Sequence, residues 1–133
     1  MKKSIIKNIT NKTLGILGGG QLGKMIAQEA SRLGIRTCVY DPNKKSPAFQ
    51  NANLVINDFY TNKKSLKQLI KNTDKITYEF ENIPLESLNF LEKKRQVYPG
   101  LKALRCSQDR LLEKRFISNL GISVAPFYKI NNF

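Results

Sequence analysis

A doubly wound, Rossmann-like parallel α/β fold is predicted for this chain by three observations. Short apolar, β-branched runs alternate with helical patterns, the connections between them are short, and a glycine-rich turn, Gly18-Gly19-Gly20-Gln21-Leu22-Gly23, stands where the first run meets the first helical pattern. Strands joined through helices pair in parallel, and the helices then cover both faces of the sheet. The 133 residues suffice for one domain with a modest core.

Thr13 to Leu17 reads as the first strand. The glycine turn leads into a helix with Leu22, Met25, Ile26, Ala30 and Leu33 on one apolar face and Gly34 as its C-terminal stop. Ile35 to Tyr40 is the second strand, Asp41-Pro42-Asn43 a turn, and Leu54-Val55-Ile56 a short third strand. Thr61 or Asn62 then caps a helix whose Leu66, Leu69 and Ile70 face inward while Lys63, Lys64, Lys67 and Lys71 face water. After Asp74, Ile76 to Phe80 forms a fourth strand. Asn82 and Pro84 start a helix bearing Leu85, Leu88 and Leu91, and Gln96 to Pro99 reads as a fifth strand. Ser107 is expected to cap a further helix with Leu111, Leu112, Phe116 and Leu120 on its apolar face, Asp109 at its positive end and Gly121 at its stop. A turn and a short extended piece follow to Phe127.

The 23 basic and 10 acidic residues give a net charge of +13, which raises the question of nucleic acid. Lys44-Lys45, Lys63-Lys64, Lys93-Lys94-Arg95 and Lys114-Arg115 are spread over several elements and lack the interleaved aromatics of a stacking platform, so no nucleic-acid partner is expected. The surplus still favours anionic small molecules. No apolar run approaches the roughly 20 residues of a membrane span, and Lys7 and Asn8 interrupt the apolar stretch that a secretory signal would need after Lys2 and Lys3. A cytoplasmic location without a membrane partner is expected. Cys38 and Cys106 read as reduced structural thiols, and with no His in the chain zinc sites and Ser-His chemistry have no support, so no metal ligands are assigned.

In such sheets ligands gather at the carboxyl ends of the strands. Three polar groups fall there: the Gly18–Gly23 turn, Asp41 after the second strand, and Glu79 with Glu81 at the end of the fourth, which strand alternation would point the same way. A glycine turn that opens a helix offers free N–H groups and a partial positive charge to a phosphate.

Four ordered blocks carry a resemblance: Gly18-Gly19-Gly20-Gln21-Leu22-Gly23-Lys24-Met25, Asp41-Pro42 with Ser46-Pro47-Ala48, Ile76-Thr77-Tyr78-Glu79-Phe80-Glu81-Asn82-Ile83-Pro84, and Gln108-Asp109-Arg110 followed by Glu113-Lys114. Together they resemble the N-terminal part of the 5-(carboxyamino)imidazole ribonucleotide synthase family, ATP-grasp ligases of purine biosynthesis, from about Thr13 to Phe127. The resemblance implies a pre-ATP-grasp α/β domain over residues 13–104, a basic extension over 1–12, and a connecting helix with the start of an ATP-grasp portion over 105–133. It implies an activity that joins bicarbonate to 5-aminoimidazole ribonucleotide at the expense of ATP, with Mg2+ neutralising the phosphates, in a family homodimer. By resemblance, Gly20, Gln21, Leu22 and Glu79 contact the ribonucleotide and Arg110 reaches the ATP phosphates. The ATP-grasp lid, lysines and magnesium carboxylates of the family would lie beyond Phe133, so this chain alone is expected to be inactive and to hold ATP and Mg2+ unproductively.

Two alternatives stand beside this reading. A dinucleotide-binding domain would use Asp41, which lies 41 − 23 = 18 residues past Gly23, near the spacing of a ribose-binding acid. A noncatalytic interaction module would pair with a separately encoded ATP-grasp partner.

Overall fold

The computed structural model describes residues 11–131, so most of the expected basic extension lies outside the described residues. Five strands, β1 (Thr13–Leu17), β2 (Arg36–Tyr40), β3 (Leu54–Ile56), β4 (Lys75–Tyr78) and β5 (Gln96–Tyr98), form one parallel sheet in the order β3-β2-β1-β4-β5. The helices are α1 (Gln21–Arg32), α2 (Lys63–Asn72), α3 (Leu85–Glu92), α4 (Leu101–Gln108) and α5 (Arg110–Asn119), with a 3-10 turn at Pro47–Asn51. The strand order reverses at β1, which places β1 between β2 and β4 and creates a crevice at their carboxyl ends.

Alternation along the strands divides the core between the two faces. Leu17, Cys38, Tyr40, Ile76 and Val97 point to one face, where Leu66 and Leu69 of α2, Leu88 and Leu91 of α3 and Leu104 of α4 close the larger cluster. Ile16 and Val39 point to the other, where Ala27 of α1 and Ala48 of the 3-10 turn cover them. Of the two expected caps, Asn62 rather than Thr61 caps α2, its side chain accepting from the N–H groups of Lys64 and Ser65, and Lys63, Lys64, Lys67 and Lys71 are exposed. Gly34, at φ 73°, follows α1 with its N–H bonded to the Ser31 carbonyl, the expected left-handed stop.

The structure departs from the sequence expectation in three elements. Of the expected apolar face of α1, Ala30 is buried and Ile26 packs partly buried against the Ile16 and Val39 cluster, but the other buried positions are the small Gly23 and Ala27, whereas Leu22, Met25 and Leu33 are more than half exposed. Small residues at this spacing let the helix axis approach β1 and the 3-10 turn closely, which turns these three larger side chains outward. Asp109, not Ser107, is the cap of α5: its carboxylate accepts from the N–H groups of Leu111 and Leu112 at 2.8 and 2.9 Å, while Ser107 lies inside α4 and its hydroxyl donates to the Leu104 carbonyl. The third difference is α4 itself, which the sequence expectation leaves as a connection; Leu104 seats it in the core. No residue of α5 is buried, and Leu112, Phe116 and Leu120 remain exposed rather than core-facing.

Candidate functional site

Because β1, β2 and β4 are neighbours in register, the residues that follow them meet at one edge. The ladder continues one step past each strand: the Gly18 N–H donates to the Tyr40 carbonyl at 3.0 Å, and the Glu79 N–H to the Leu17 carbonyl at 3.1 Å. The two acids then grip the turn from either side. The Gly19 N–H donates to Asp41 Oδ2 at 2.6 Å and the Gly20 N–H to Glu79 Oε1 at 3.0 Å. Hydrogen bonds to charged acceptors are the stronger kind, about 1.5–3 kcal/mol each when desolvated; both are partly buried here.

The closeness of this grip explains the glycines. Gly18 sits at φ 99°, and a Cβ there would stand 2.7 Å from Glu79 Oε1. At Gly23, on the first turn of α1, a Cβ would stand 2.5 Å from the Gly18 carbonyl oxygen. The Ser46-Pro47-Ala48 segment locks the turn from the other side, since the Ala48 N–H donates to the Gly19 carbonyl at 2.9 Å.

Asp41 is fully engaged. Beyond Gly19 it accepts the Asn43 N–H on Oδ1 at 2.7 Å and the Tyr60 hydroxyl on Oδ2 at 3.1 Å. Burial and then the charges of Asp41 and Glu79 push the Tyr60 phenol well above its ordinary range, so it stays protonated and donates. Tyr60 is nearly buried, its ring 5.5 Å from that of Tyr40. Glu79 is less committed, with Oε1 on the turn and Oε2 with no partner among the described residues.

The resulting cleft of about 320 Å³ is lined by Gly20, Asp41, Pro42, Asn43, Ser46, Pro47, Tyr60, Glu79 and Phe80, the size of a small-molecule site. Of the sequence-predicted residues, Gly20 and Glu79 come together there. Gln21 is exposed beside it, and Leu22 lines a neighbouring apolar groove along α1 with Glu79. Glu81 does not join them. The fourth strand ends at Tyr78, not Phe80, so strand alternation stops before Glu81, whose carbonyl is held instead by the Gln108 side chain at 2.6 Å. Arg110 also lies elsewhere: it pairs with Glu113 and lines a separate cleft with Lys114, Phe127 and Tyr128. Tyr60 and Phe80 were not singled out by sequence. Tyr60 lies 19 residues from Asp41 in an irregular connection with no motif to mark it, and Phe80 looks like a strand residue until the strand end is known.

Among the described residues no group of three His, Cys, Asp or Glu side chains converges as metal ligands. Cys38 and Cys106 are both free thiols, and burial pushes Cys38 up to about 11, which keeps it an unreactive thiol. Among the described residues no helix is long and apolar enough to cross a membrane.

Comparison with known proteins gives a consistent result. The family described as ribonucleotide synthetase preATP-grasp domain matches residues 11–108. N5-carboxyaminoimidazole ribonucleotide synthase of Staphylococcus saprophyticus is 42% identical over 121 residues, covering 91% of this chain and 32% of that protein. The same enzyme of Brucella melitensis is 41% identical over 132 residues, covering 99% and 36%. Among solved structures, the Staphylococcus aureus synthetase complexed with ADP aligns with a TM-score of 0.85 at 41% identity, over 91% of this chain and 33% of that one. The Aspergillus clavatus synthase in complex with ADP and 5-aminoimidazole ribonucleotide aligns with a TM-score of 0.76 at 31% identity, over 86% and 31%. This chain thus spans about a third of the length of the curated relatives it matches. A parallel five-stranded sheet whose glycine turn is gripped by two strand-end acids, matched along residues 11–108, makes this chain a member of the ribonucleotide synthetase preATP-grasp domain family.

Proposed function

We propose that this chain is the ribonucleotide-holding part of a ligase that carboxylates 5-aminoimidazole ribonucleotide with bicarbonate and ATP. The observation that carries the reading is the division of labour in the glycine turn. The Gly19 and Gly20 N–H groups are satisfied by Asp41 and Glu79, whereas the N–H groups of Gln21, Leu22 and Gly23, in the first turn of α1, have no intrahelical acceptor. α1 has neither a side-chain cap nor an acid in its first turn, so its positive end stays open to an anionic or hydroxyl-rich ligand. Glu79 Oε2 supplies an acceptor for a ribose hydroxyl or an amino group at the same place. Gly20, Gln21, Leu22 and Glu79 are the residues assigned to the ribonucleotide.

The residues described do not fit magnesium, since no group of three carboxylates converges among them. We therefore derive no phosphoryl-transfer step from this chain. Arg110, exposed and paired with Glu113, is the residue of this chain assigned to the ATP phosphates; the rest of ATP and Mg2+ handling belongs, on this reading, to the portion of the relatives that the chain does not cover, supplied by a longer form or by a separate partner. The dinucleotide alternative is less well supported, because it needs Asp41 for a ribose hydroxyl while its Oδ2 already accepts from Gly19 and Tyr60 and its Oδ1 from Asn43.

Titration calorimetry or ligand-observed NMR with 5-aminoimidazole ribonucleotide, NADH and ATP-Mg2+ tests the reading. Ribonucleotide binding that Glu79→Gln weakens, with no ATP hydrolysis when bicarbonate is added, is the expected result. Binding of NADH without the ribonucleotide, or turnover by these 133 residues alone, would overturn it.

A further inference from the structure

Glu79 faces the glycine turn, yet the residue after it is an aromatic ring left open at the mouth of the same cleft. Phe80 is 42% exposed and lines the cleft together with Pro42 and Pro47. Other exposed aromatics, such as Phe59, Tyr98, Phe116 and Tyr128, do not line it, and its second aromatic, Tyr60, is nearly buried with its hydroxyl committed to Asp41. Leaving part of a phenyl ring in water forgoes apolar burial, so its position calls for a constraint that keeps Phe80 from turning inward.

The backbone on both sides supplies the constraint. Glu79 is pinned to β1 through its N–H and to the turn through its carboxylate. Three residues beyond Phe80, Ile83 is fully buried, and its carbonyl and that of Glu81 both accept from the Gln108 side chain, at 2.8 and 2.6 Å. With the inward-facing positions taken by Glu79 and Ile83, the Phe80 ring is held toward the cleft. Its face is apolar and flat, and Glu79, whose Oε2 would accept from a ribose hydroxyl, lines the same cleft.

We propose that Phe80 determines specificity for the ligand's heterocycle, its ring forming the platform against which the planar aminoimidazole stacks while Glu79 and the glycine turn hold the ribose side. The inference rests on the ribonucleotide reading above and adds to it the residue that recognises the base. Base–aromatic stacking is sequence-tolerant but requires a flat partner, so Phe80 distinguishes a ribonucleotide that carries a ring from the bare sugar phosphate.

The test compares 5-aminoimidazole ribonucleotide with ribose 5-phosphate, each titrated by NMR into the full chain and into Phe80→Ala and Phe80→Tyr. Phe80→Ala should weaken the ribonucleotide about five- to tenfold, the lower range for stacking on a small ring, and leave ribose 5-phosphate unchanged, while Phe80→Tyr retains both. Unchanged ribonucleotide affinity in Phe80→Ala overturns the proposal alone. An equal loss for both ligands also overturns it, since that pattern belongs to a disturbed turn. Failure of the parent chain to bind either ligand overturns the ribonucleotide reading and the inference with it.

Discussion

Gly23→Ala places one methyl group where two opposing effects can be weighed. In a helix interior, alanine is better than glycine by about 1 kcal/mol, through the unfolded chain's entropy and the helix propensity itself. Against this, the new Cβ would stand 2.5 Å from the Gly18 carbonyl oxygen, 3.3 Å from the Gly18 carbonyl carbon and 3.4 Å from Glu79 Cγ. The first distance is roughly 1 Å inside the range of about 3.5 Å at which non-bonded heavy atoms attract. The obstacle is backbone rather than a side-chain tip, and Gly18 is held by its own hydrogen bond to Tyr40 and packed against Glu79. Relief must therefore come from moving α1 or the turn, at the upper end of the 1–3 kcal/mol that overpacking costs. The net is a destabilisation of about 2 kcal/mol, which for a domain of this size lowers Tm by roughly 8 °C. Urea denaturation followed by far-UV circular dichroism measures it, with exposed Gln28→Ala on the same helix as the control, expected within about 0.5 kcal/mol of the parent. Gly23→Ala as stable as the parent or more so would show that the turn yields freely, and would refute the view that close helix–turn packing fixes the geometry of the site.

Two further outcomes follow from the hydrogen bonds. Tyr60→Phe should cost about 1.5–3 kcal/mol in the same denaturation assay, since its hydroxyl donates to a carboxylate, and should cost little in a background where Asp41→Ala has removed the acceptor, so a double-mutant cycle reads their coupling. Stability should also fall in acid. Ser65 and the Phe59 N–H hold Asp58 below its ordinary 3.8, and the Thr13 N–H does the same for Asp74. Because both folded values are depressed, their contribution is fully present above about pH 4 and is lost as pH falls through the folded values. A urea midpoint series from pH 5 to pH 2 should fall less steeply for Asp58→Asn and Asp74→Asn than for the parent.

Much of the fold is written in local pattern along the chain. Short apolar runs and helical apolar spacing identify β1, β3, α2 and α3, turn and cap chemistry narrows the start of α2 to Thr61 or Asn62 and identifies the stops at Gly34 and Gly121, and the alternation of strand and helix patterns dictates a parallel sheet. The meeting of the glycine turn with Glu79 was legible as well, because strand order in a doubly wound sheet brings carboxyl ends to one edge. Tertiary structure decided everything that depends on close approach. Small residues on α1, together with Ile26, carry its contact with the sheet, so Leu22, Met25 and Leu33 face outward, a choice that amphipathic spacing alone does not distinguish. Where β4 ends separates Glu79 from Glu81 and frees Phe80, and that end is fixed by pairing with β1 and by the grip of Gln108 from a helix about 27 residues away. Tyr60 meets Asp41 only because β2 and β3 lie side by side and the connection after β3 folds back over their edge. Contacts across so many residues leave no periodic trace in the chain, since each is made by a single side chain whose neighbours answer to different partners.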